Sequence, residues 1–410
     1  MWSEVKLGDV AEVTAGNPAP KKDKLSVNGD CSFVRTSDVG QIRFGVINSS
    51  RDRINHSSAE ALSLKAAGTI LLPKSGASTF LNHRVMLGQD AYVASHLATI
   101  KAYREKLSDK FLLYLLSVIK AQDLVQDHDY PSLRLSDLEE IQISIPLIDE
   151  QKRIVAILDK AFAGIDQAIA NTEKNIQNAK DLFESYLNNI FSKHNDQATL
   201  LTVAELAKEE KGSIRTGPFG SQLLHNEFVD KGIAVLGIDN AVKNTFQWGK
   251  RRYIAEEKYK ELSRYTVKPG DVLITIMGTC GRCAVVPEDI PLAINTKHLC
   301  CISLDTNKCL PDFLHIYFLH HPTAIQFLSS RAKGSIMAGL NMGIIKELPV
   351  LLPSMVVQSE IINAFKGAEY KTRALSKIHQ QKLSALKELK QSLLQKAFAG
   401  ELTSDMQEVA

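Results

Sequence analysis

Ile145-Pro146-Leu147-Ile148-Asp149-Glu150-Gln151-Lys152-Arg153-Ile154 and Leu352-Pro353-Ser354-Met355-Val356-Val357-Gln358-Ser359-Glu360-Ile361 carry one signal twice: an apolar strand end, a proline, a glutamine five residues on, and the start of an unbroken helical pattern. Gln358 follows Gln151 by 207 residues, about half of the 410 in the chain. The same offset continues without a gap, placing Ala161 on Ala368, Leu182 on Leu389, Ser185 on Ser392, Leu187 on Leu394 and Phe191 on Phe398. A register held that long marks an internal repeat, which governs every later assignment.

The two tails read as long helices. From Ile154 the apolar positions are Leu158, Ala161, Ile165, Ala168, Ile176, Ala179, Leu182, Tyr186 and Ile190; from Ile361 they are Phe365, Ala368, Leu375, Ile378, Leu386, Leu389, Leu393 and Ala397. These spacings keep one stripe on a helix, and Pro146 and Pro353 suit helix starts. At ~1.5 Å per residue, roughly 45 residues make a rod of about 65 Å, and such a rod is unstable with its apolar stripe uncovered. Each tail has a complementary partner in the other. Pseudo-twofold symmetry predicts antiparallel pairing, with a seam interrupted at Thr172, Thr372, Lys382 and Gly400.

Upstream of the tails the halves correspond more loosely. Phe33-Val34-Arg35-Thr36-Ser37-Asp38 falls on Val235-Leu236-Gly237-Ile238-Asp239-Asn240, Gly68-Thr69-Ile70-Leu71 on Gly270-Asp271-Val272-Leu273, and Asp109-Lys110-Phe111-Leu112 on Pro311-Asp312-Phe313-Leu314. Short apolar strands bounded by Gly, Pro, Asn and Ser, with one helix near 109–120 and another near 311–321, predict an α+β module in each half. Residues 193–201 read as a polar linker between the halves.

Composition narrows the class. With 44% hydrophobic and 23% charged residues the chain has the makings of two or three folded domains. No apolar run approaches the ~20 residues of a membrane span, and Met1-Trp2-Ser3-Glu4 lacks the features of a secretion signal, so a cytoplasmic protein without membrane contact is expected. A net charge of +3 neither requires nor excludes a polyanionic partner. Cys280 and Cys283 with Cys300 and Cys301 have the chemistry of a zinc site, but their spacing departs from the common ribbons and the first copy carries Ser78 and no paired cysteines. They are read as reduced core residues, and no metal is expected. The histidines at 56, 83, 96, 298, 315, 320 and 321 accompany no nucleophile elbow, zinc helix or phosphate-cradling loop, so no catalytic residue is assigned.

The chain resembles the specificity subunits of type I restriction-modification systems. The resemblance lies in Trp2-Ser3-Glu4-Val5-Lys6-Leu7-Gly8-Asp9-Val10, in the passage from Ile145-Pro146-Leu147 to Glu150-Gln151-Lys152-Arg153-Ile154-Val155, and in Lys396-Ala397-Phe398-Ala399-Gly400-Glu401-Leu402. It implies two target recognition domains, at 1–146 and 202–352, separated by long helices at 147–192 and 353–402 packed as an antiparallel coiled coil, with a linker at 193–201 and a tail at 403–410. It further implies a non-catalytic subunit that reads a split site in double-stranded DNA and binds no cofactor itself. Its partners would be two methyltransferase subunits, which use S-adenosylmethionine, and motor-nuclease subunits. The paired helices would set the gap between half-sites. A standalone nuclease or methyltransferase, and a scaffold binding only proteins, are the rival readings.

Phosphate contact requires donors and close backbone approach, and base reading requires planar or bidentate groups. Loops of that composition give candidates in the first half at Arg35, Thr36, Ser37, Lys74, Ser75, Ser78, Asn82, His83, Arg84, Tyr130, Ser132 and Arg134. In the second half they are Arg215, Thr216, Phe219, Ser221, Arg251, Arg252, Thr279, Asn295, Lys297, His298, Arg331, Lys333, Ser335 and Asn341. Gln151, Arg153 and Gln358, at the helix starts, are candidates for partner docking.

Overall fold

The computed structural model describes residues 2–20, 25–26, 29–59, 61–125, 127–331 and 340–403. It forms two compact units, one of Met1–Thr172 with Gln381–Ala410 and the other of Glu173–Gln380. Both are mixed α and β, and their strands correspond.

In the first unit Ser3–Lys6 pairs antiparallel with Gln142–Ile145, the strand that runs into the first long helix. The main sheet orders Ala11–Ala15, Leu97–Ala102, Ile70–Pro73, Arg84–Leu87 and Phe44–Ile47. Every residue of Ile70–Pro73 is buried, which is why that segment reads as a continuous apolar run rather than an alternating one. A smaller sheet contains Leu25–Ser26, Asp52–Ile54, Cys31–Val34 and Ala91–Val93, with the last two parallel. Helix Asp109–Val118 covers the main sheet with Phe111, Leu112 and Leu115 in the core.

The second unit repeats the plan. Thr199–Thr202 pairs with Pro349–Leu352 as Ser3–Lys6 pairs with Gln142–Ile145. Residues 199–201, expected to be linker, are therefore strand: Leu201 and Val203 supply the pattern that Val5 and Leu7 supply in the first copy. The sheets order Ile214–Thr216, Leu299–Ile302, Val272–Thr275, Cys283–Val285, and Phe228–Val229, Tyr253–Ile254, Ile233–Leu236, Ala293–Asn295, Thr266–Val267. The parallel pair recurs between Ile233–Leu236 and Ala293–Asn295.

The long helices span Ile148–His194 and Met355–Phe398. Asp149 and Glu150 in the first turn of the former, and Lys193 and His194 in its last, complement the helix dipole. In the first unit, Ile154, Leu158, Phe162 and Ile165 share a core with Ala397, Leu393 and Leu386. Lys390 Nζ lies 2.8 Å from Asp166 Oδ1 and 4.6 Å from the Phe162 ring centre. In the second unit, Leu187 and Phe191 share a core with Ile361, Ile362 and Phe365. The N-terminal half of one helix thus meets the C-terminal half of the other in each unit, and the pairing is antiparallel. The seam differs from the predicted stripe. Phe162 and Phe183, outside the stripe, join the expected Phe365 in filling it, while Leu182 and Leu389 are exposed at 72% and 48%. The buried Thr172 satisfies its hydroxyl on Ala168 O at 2.6 Å.

His321 ties helix Pro311–His320 to the first long helix. Its ring stacks on Tyr317 at 4.1 Å and meets Phe191 edge-on at 4.8 Å, and its Nδ1 accepts from Thr323 N at 3.1 Å. Burial lowers its pKa to about 4. An unfolded histidine titrates near ~6.5, so the stability held by the neutral ring is complete above that value and is lost as pH falls toward the folded value, about 2 kcal/mol being gone at pH ~5. Denaturant unfolding from pH ~7 to ~5 should therefore show a steeper loss for the parent chain than for His321→Gln; parallel profiles would refute this assignment.

Candidate nucleic-acid interface

Three chain segments meet at the same end of the main sheet in both units. In the first they follow Ala15, follow Pro73 and precede Leu97, residues aligned by the pairs Ala98 with Ala15 and Leu97 with Pro73. In the second they follow Thr216, follow Thr275 and precede Leu299. A glycine permits the closest approach. A Cβ on Gly16 would lie 2.3 Å from Ala94 O, and one on Gly217 would lie 2.0 Å from Asn295 O. The turn before the third strand is pinned alike in each copy, by Lys74 N donating to His96 O at 3.0 Å and Ile276 N donating to His298 O at 2.9 Å.

In the first unit this end also gathers residues far apart in sequence. Gly76 N donates to Pro131 O at 2.9 Å and Leu133 N donates to Lys74 O at 2.8 Å, so Lys74, Ser75, Ser78, Tyr130, Ser132 and Arg134 belong to one patch. Tyr130 is 83% exposed, and Phe80 stacks on His128 at 5.5 Å beside a cleft of about 460 Å³ lined by Ser75, Tyr130 and Ser132. Stacking faces beside hydroxyl and basic donors suit a polar, planar ligand.

The second unit carries a larger cleft of about 860 Å³, lined by His225, Asp239, Lys250, Arg251, Arg252 and His298. Arg251 lies over the Trp248 ring at 5.1 Å, and Arg252 pairs with Asp239 at 3.1 Å. Asp239 also accepts from Lys250 N at 2.8 Å, so the loop is braced from both ends. Burial, with Lys297 and Arg252 adding repulsion, lowers the pKa of His298 below the usual histidine value. Thr216, Phe219, Ser221, Thr279 and Lys297 lie on the loops around this end, with Phe219, Ser221 and Thr279 exposed.

Several candidates prove to be buried or already engaged within the fold. Arg84 is 2% exposed and donates to Leu116 O, His83 O and Ile119 O at 3.0–3.1 Å; burial lowers its pKa to about 10. Arg215 pairs with the buried Asp271 at 2.7 Å and donates to Ser303 Oγ at 3.0 Å. Asn295 is fully buried and donates to Leu299 O at 3.0 Å, bracing the turn that carries Lys297 and His298. Asn82 Oδ1 accepts from Ala121 N at 2.8 Å, and Asn341 caps a helix by accepting from Ile344 N at 3.1 Å. Arg35 is held by Asp52, with Thr36 and Ser37 opening helix Thr36–Ile42 and His83 half-buried beside Arg43 and Arg84. Exposed Arg331 stands 3.6 Å from Glu347. Lys333 and Ser335 lie outside the described residues.

The docking candidates divide. Arg153 is exposed, but Gln151 and Gln358 are fully buried and bind backbone groups of their own units. Cys283 and Cys300 belong to one core and Cys301 to another, and burial raises the pKa of Cys300 to about 12. Among the described residues no group of three or more His, Cys, Asp or Glu is placed to hold a metal.

His96 was not among the predicted contacts. Its signal was the match of Ser95-His96-Leu97 to Lys297-His298-Leu299, which the looser upstream repeat obscured.

A family model described as type I restriction modification DNA specificity domain matches residues 1–178 and 230–387. The type I restriction enzyme EcoBI specificity subunit of Escherichia coli is 25% identical over 355 residues, 79% of this chain and 72% of that protein. Two solved structures share the fold. One, described as the structural basis underlying complex assembly and conformational transition of the type I R-M system, aligns at TM-score 0.75 and 16% identity over 98% of both chains. The other, the HsdS subunit from Thermoanaerobacter tengcongensis, aligns at TM-score 0.58 and 18% identity over 98% of this chain and 97% of that one.

Proposed function

The chain belongs to the type I restriction-modification DNA specificity family, and we propose that it is a non-catalytic subunit whose two modules each read one half of a split duplex site. The observation that carries this reading is the recurrence, in both units, of donor-rich loops at the same end of an equivalent sheet. Two copies of one scaffold with different side chains at that end suit two different half-sites. The basic cleft of the second unit, with Arg251, Arg252 and the acceptor Asp239, offers both a guanine-type and a cytosine-type contact. The aromatic patch of the first unit offers stacking and hydroxyl contacts.

The paired helices would fix the unread gap and dock two methyltransferase subunits, with S-adenosylmethionine bound on those partners and motor-nuclease subunits completing the assembly. Leu182 and Leu389, equivalent in the repeat, are both exposed, which supports one docking surface per copy. Covering these leucines with a partner would remove their remaining apolar surface from water.

The test is sequencing of methylated adenines in DNA from cells carrying this chain with its cognate methyltransferase, against cells lacking the chain. The expected result is a split motif with one fixed gap, present only with the chain. Chain-independent methylation, or methylation by the purified chain alone, would overturn the reading.

A further inference from the structure

Several matched positions around the candidate interface differ between the two units. Ser75 is replaced by Met277, Lys74 by Ile276 and Asn17 by Pro218 when residues are matched through the paired strands. One side chain able to donate is kept. His96 and His298 occupy the same place, each one residue before the central strand and each receiving the same backbone hydrogen bond through its carbonyl.

The fold does not explain the match. His96 is exposed and His298 half-buried, so neither ring fills a core. A shared internal role would also require shared partners. The His96 ring meets Ser75 Oγ at 2.8 Å, but the corresponding residue in the second unit is Met277, whose thioether cannot replace that hydroxyl as donor. When the Ser75 hydroxyl donates to Nδ1, the Nε2–H of the His96 ring is the donor left for a partner outside the loop. His298 lies at the edge of a cleft lined also by Lys250, Arg251 and Arg252 against Asp230 and Asp239; with Arg252 paired to Asp239, Lys250 and Arg251 leave the cleft a net positive charge, a setting suited to an anion.

Two half-sites of different sequence have one chemistry in common, the sugar-phosphate backbone. Groups that position a protein on DNA touch that backbone, and groups that specify touch base edges. We propose that His96 and His298 are equivalent phosphate anchors, one per half-site, each donating a ring N–H to the DNA backbone and setting the depth at which its module sits. Sequence is then read by the side chains that differ around them, Tyr130, Ser132 and Arg134 in one unit and Asp239, Arg251 and Arg252 in the other. This proposal rests on the DNA-specificity reading above.

The experiment uses the chain assembled with its methyltransferase subunits. His96→Ala, His298→Ala and the corresponding glutamine variants are titrated with the motif-containing duplex and with a scrambled duplex at fixed salt, and their methylated motifs are sequenced. Each alanine variant should weaken binding to both duplexes by a common factor of about tenfold, the loss of one hydrogen bond to a charged acceptor. The methylated motif should stay unchanged, and glutamine, which keeps a neutral donor, should restore most of the loss. A relaxed or altered motif would make the histidine a base reader and overturn the proposal. Unchanged affinity in both alanine variants would also overturn it. If the unsubstituted complex does not prefer the motif duplex, the functional reading itself falls, an outcome distinguishable from the other two.

Discussion

Gln358→Ala is expected to destabilise the unit Glu173–Gln380 by about 2–4 kcal/mol, because it strips partners from three backbone groups, that of Pro353 in a buried hydrogen bond and those of Lys308 and Leu310 in partly buried ones, and a lost partner costs ~1–3 kcal/mol where water cannot replace it. Gln358 Oε1 accepts from Leu310 N at 2.9 Å, while Nε2 donates to Lys308 O at 2.9 Å and to Pro353 O at 3.0 Å. One amide thus fastens the start of the long helix to the loop that opens helix Pro311–His320. Gln151 repeats the arrangement on Ser108 N, Lys106 O and Pro146 O at 2.9, 3.0 and 2.9 Å. Its alanine variant should destabilise the other unit by a similar amount. Glutamate is no remedy at either place, since a carboxylate would face two carbonyl oxygens with nothing to donate. Urea unfolding decides the matter together with an assembly assay. A surface docking residue would lose partner binding with stability intact, whereas these variants should lose stability first; an unfolding midpoint unmoved by Gln358→Ala would refute the assignment.

Gly217→Ala should abolish reading of one half-site while leaving the other module folded. The added Cβ would sit 2.0 Å from Asn295 O and 2.4 Å from Thr296 C, both backbone atoms of the turn before His298. Backbone cannot rotate away as a flexible side chain can, and the segment is held there by Gly217 N donating to Thr296 O at 3.3 Å. The strand end must peel off the turn, at a cost of about 1–3 kcal/mol for forced overpacking. The functional loss should be larger than the loss of stability, because the displaced turn carries Lys297 and His298. Gly16→Ala should do the same in the first unit, where a Cβ meets Ala94 O at 2.3 Å and Val93 O at 2.4 Å. Gly40→Ala, with nothing within 4 Å and a place in helix Thr36–Ile42, is the control and should be neutral to slightly stabilising. Methylation sequencing checks all three. Retention of the full split motif by Gly217→Ala would show that the close approach has no bearing on recognition.

The helix tails were legible because their information is local and periodic. A stripe at helical spacing, a proline before it and a 207-residue register can be read without knowing what covers the stripe. The seam was legible only in part. Periodicity names a face of the helix, and Phe365 lies where it put it, but which residues meet the partner depends on rotation about the axis, and Phe162 and Phe183 took the place of Leu182 and Leu389. Residues 199–201 show the same limit for strands, since the four residues Thr199–Thr202 beside a polar segment become a strand only when Pro349–Leu352 arrives to pair with them.

By itself the sequence determined that the chain is a duplicated α+β module with two long helical tails, and it pointed to the family through Trp2–Val10, the passage Ile145–Val155 into the first long helix and Lys396–Leu402. Tertiary structure decided which polar residues are available to a ligand. Arg84 and Lys74 stand equal in composition, yet one is buried among the carbonyls of residues 83, 116 and 119 and the other lies on the loop with Ser75. Arg215 was withdrawn by an aspartate 56 residues away, and the buried glutamines by backbone groups 43 to 50 residues upstream. The physical reason is that burying a polar group is tolerable only when its hydrogen bonds are met. Those partners come from chain segments that local sequence does not specify.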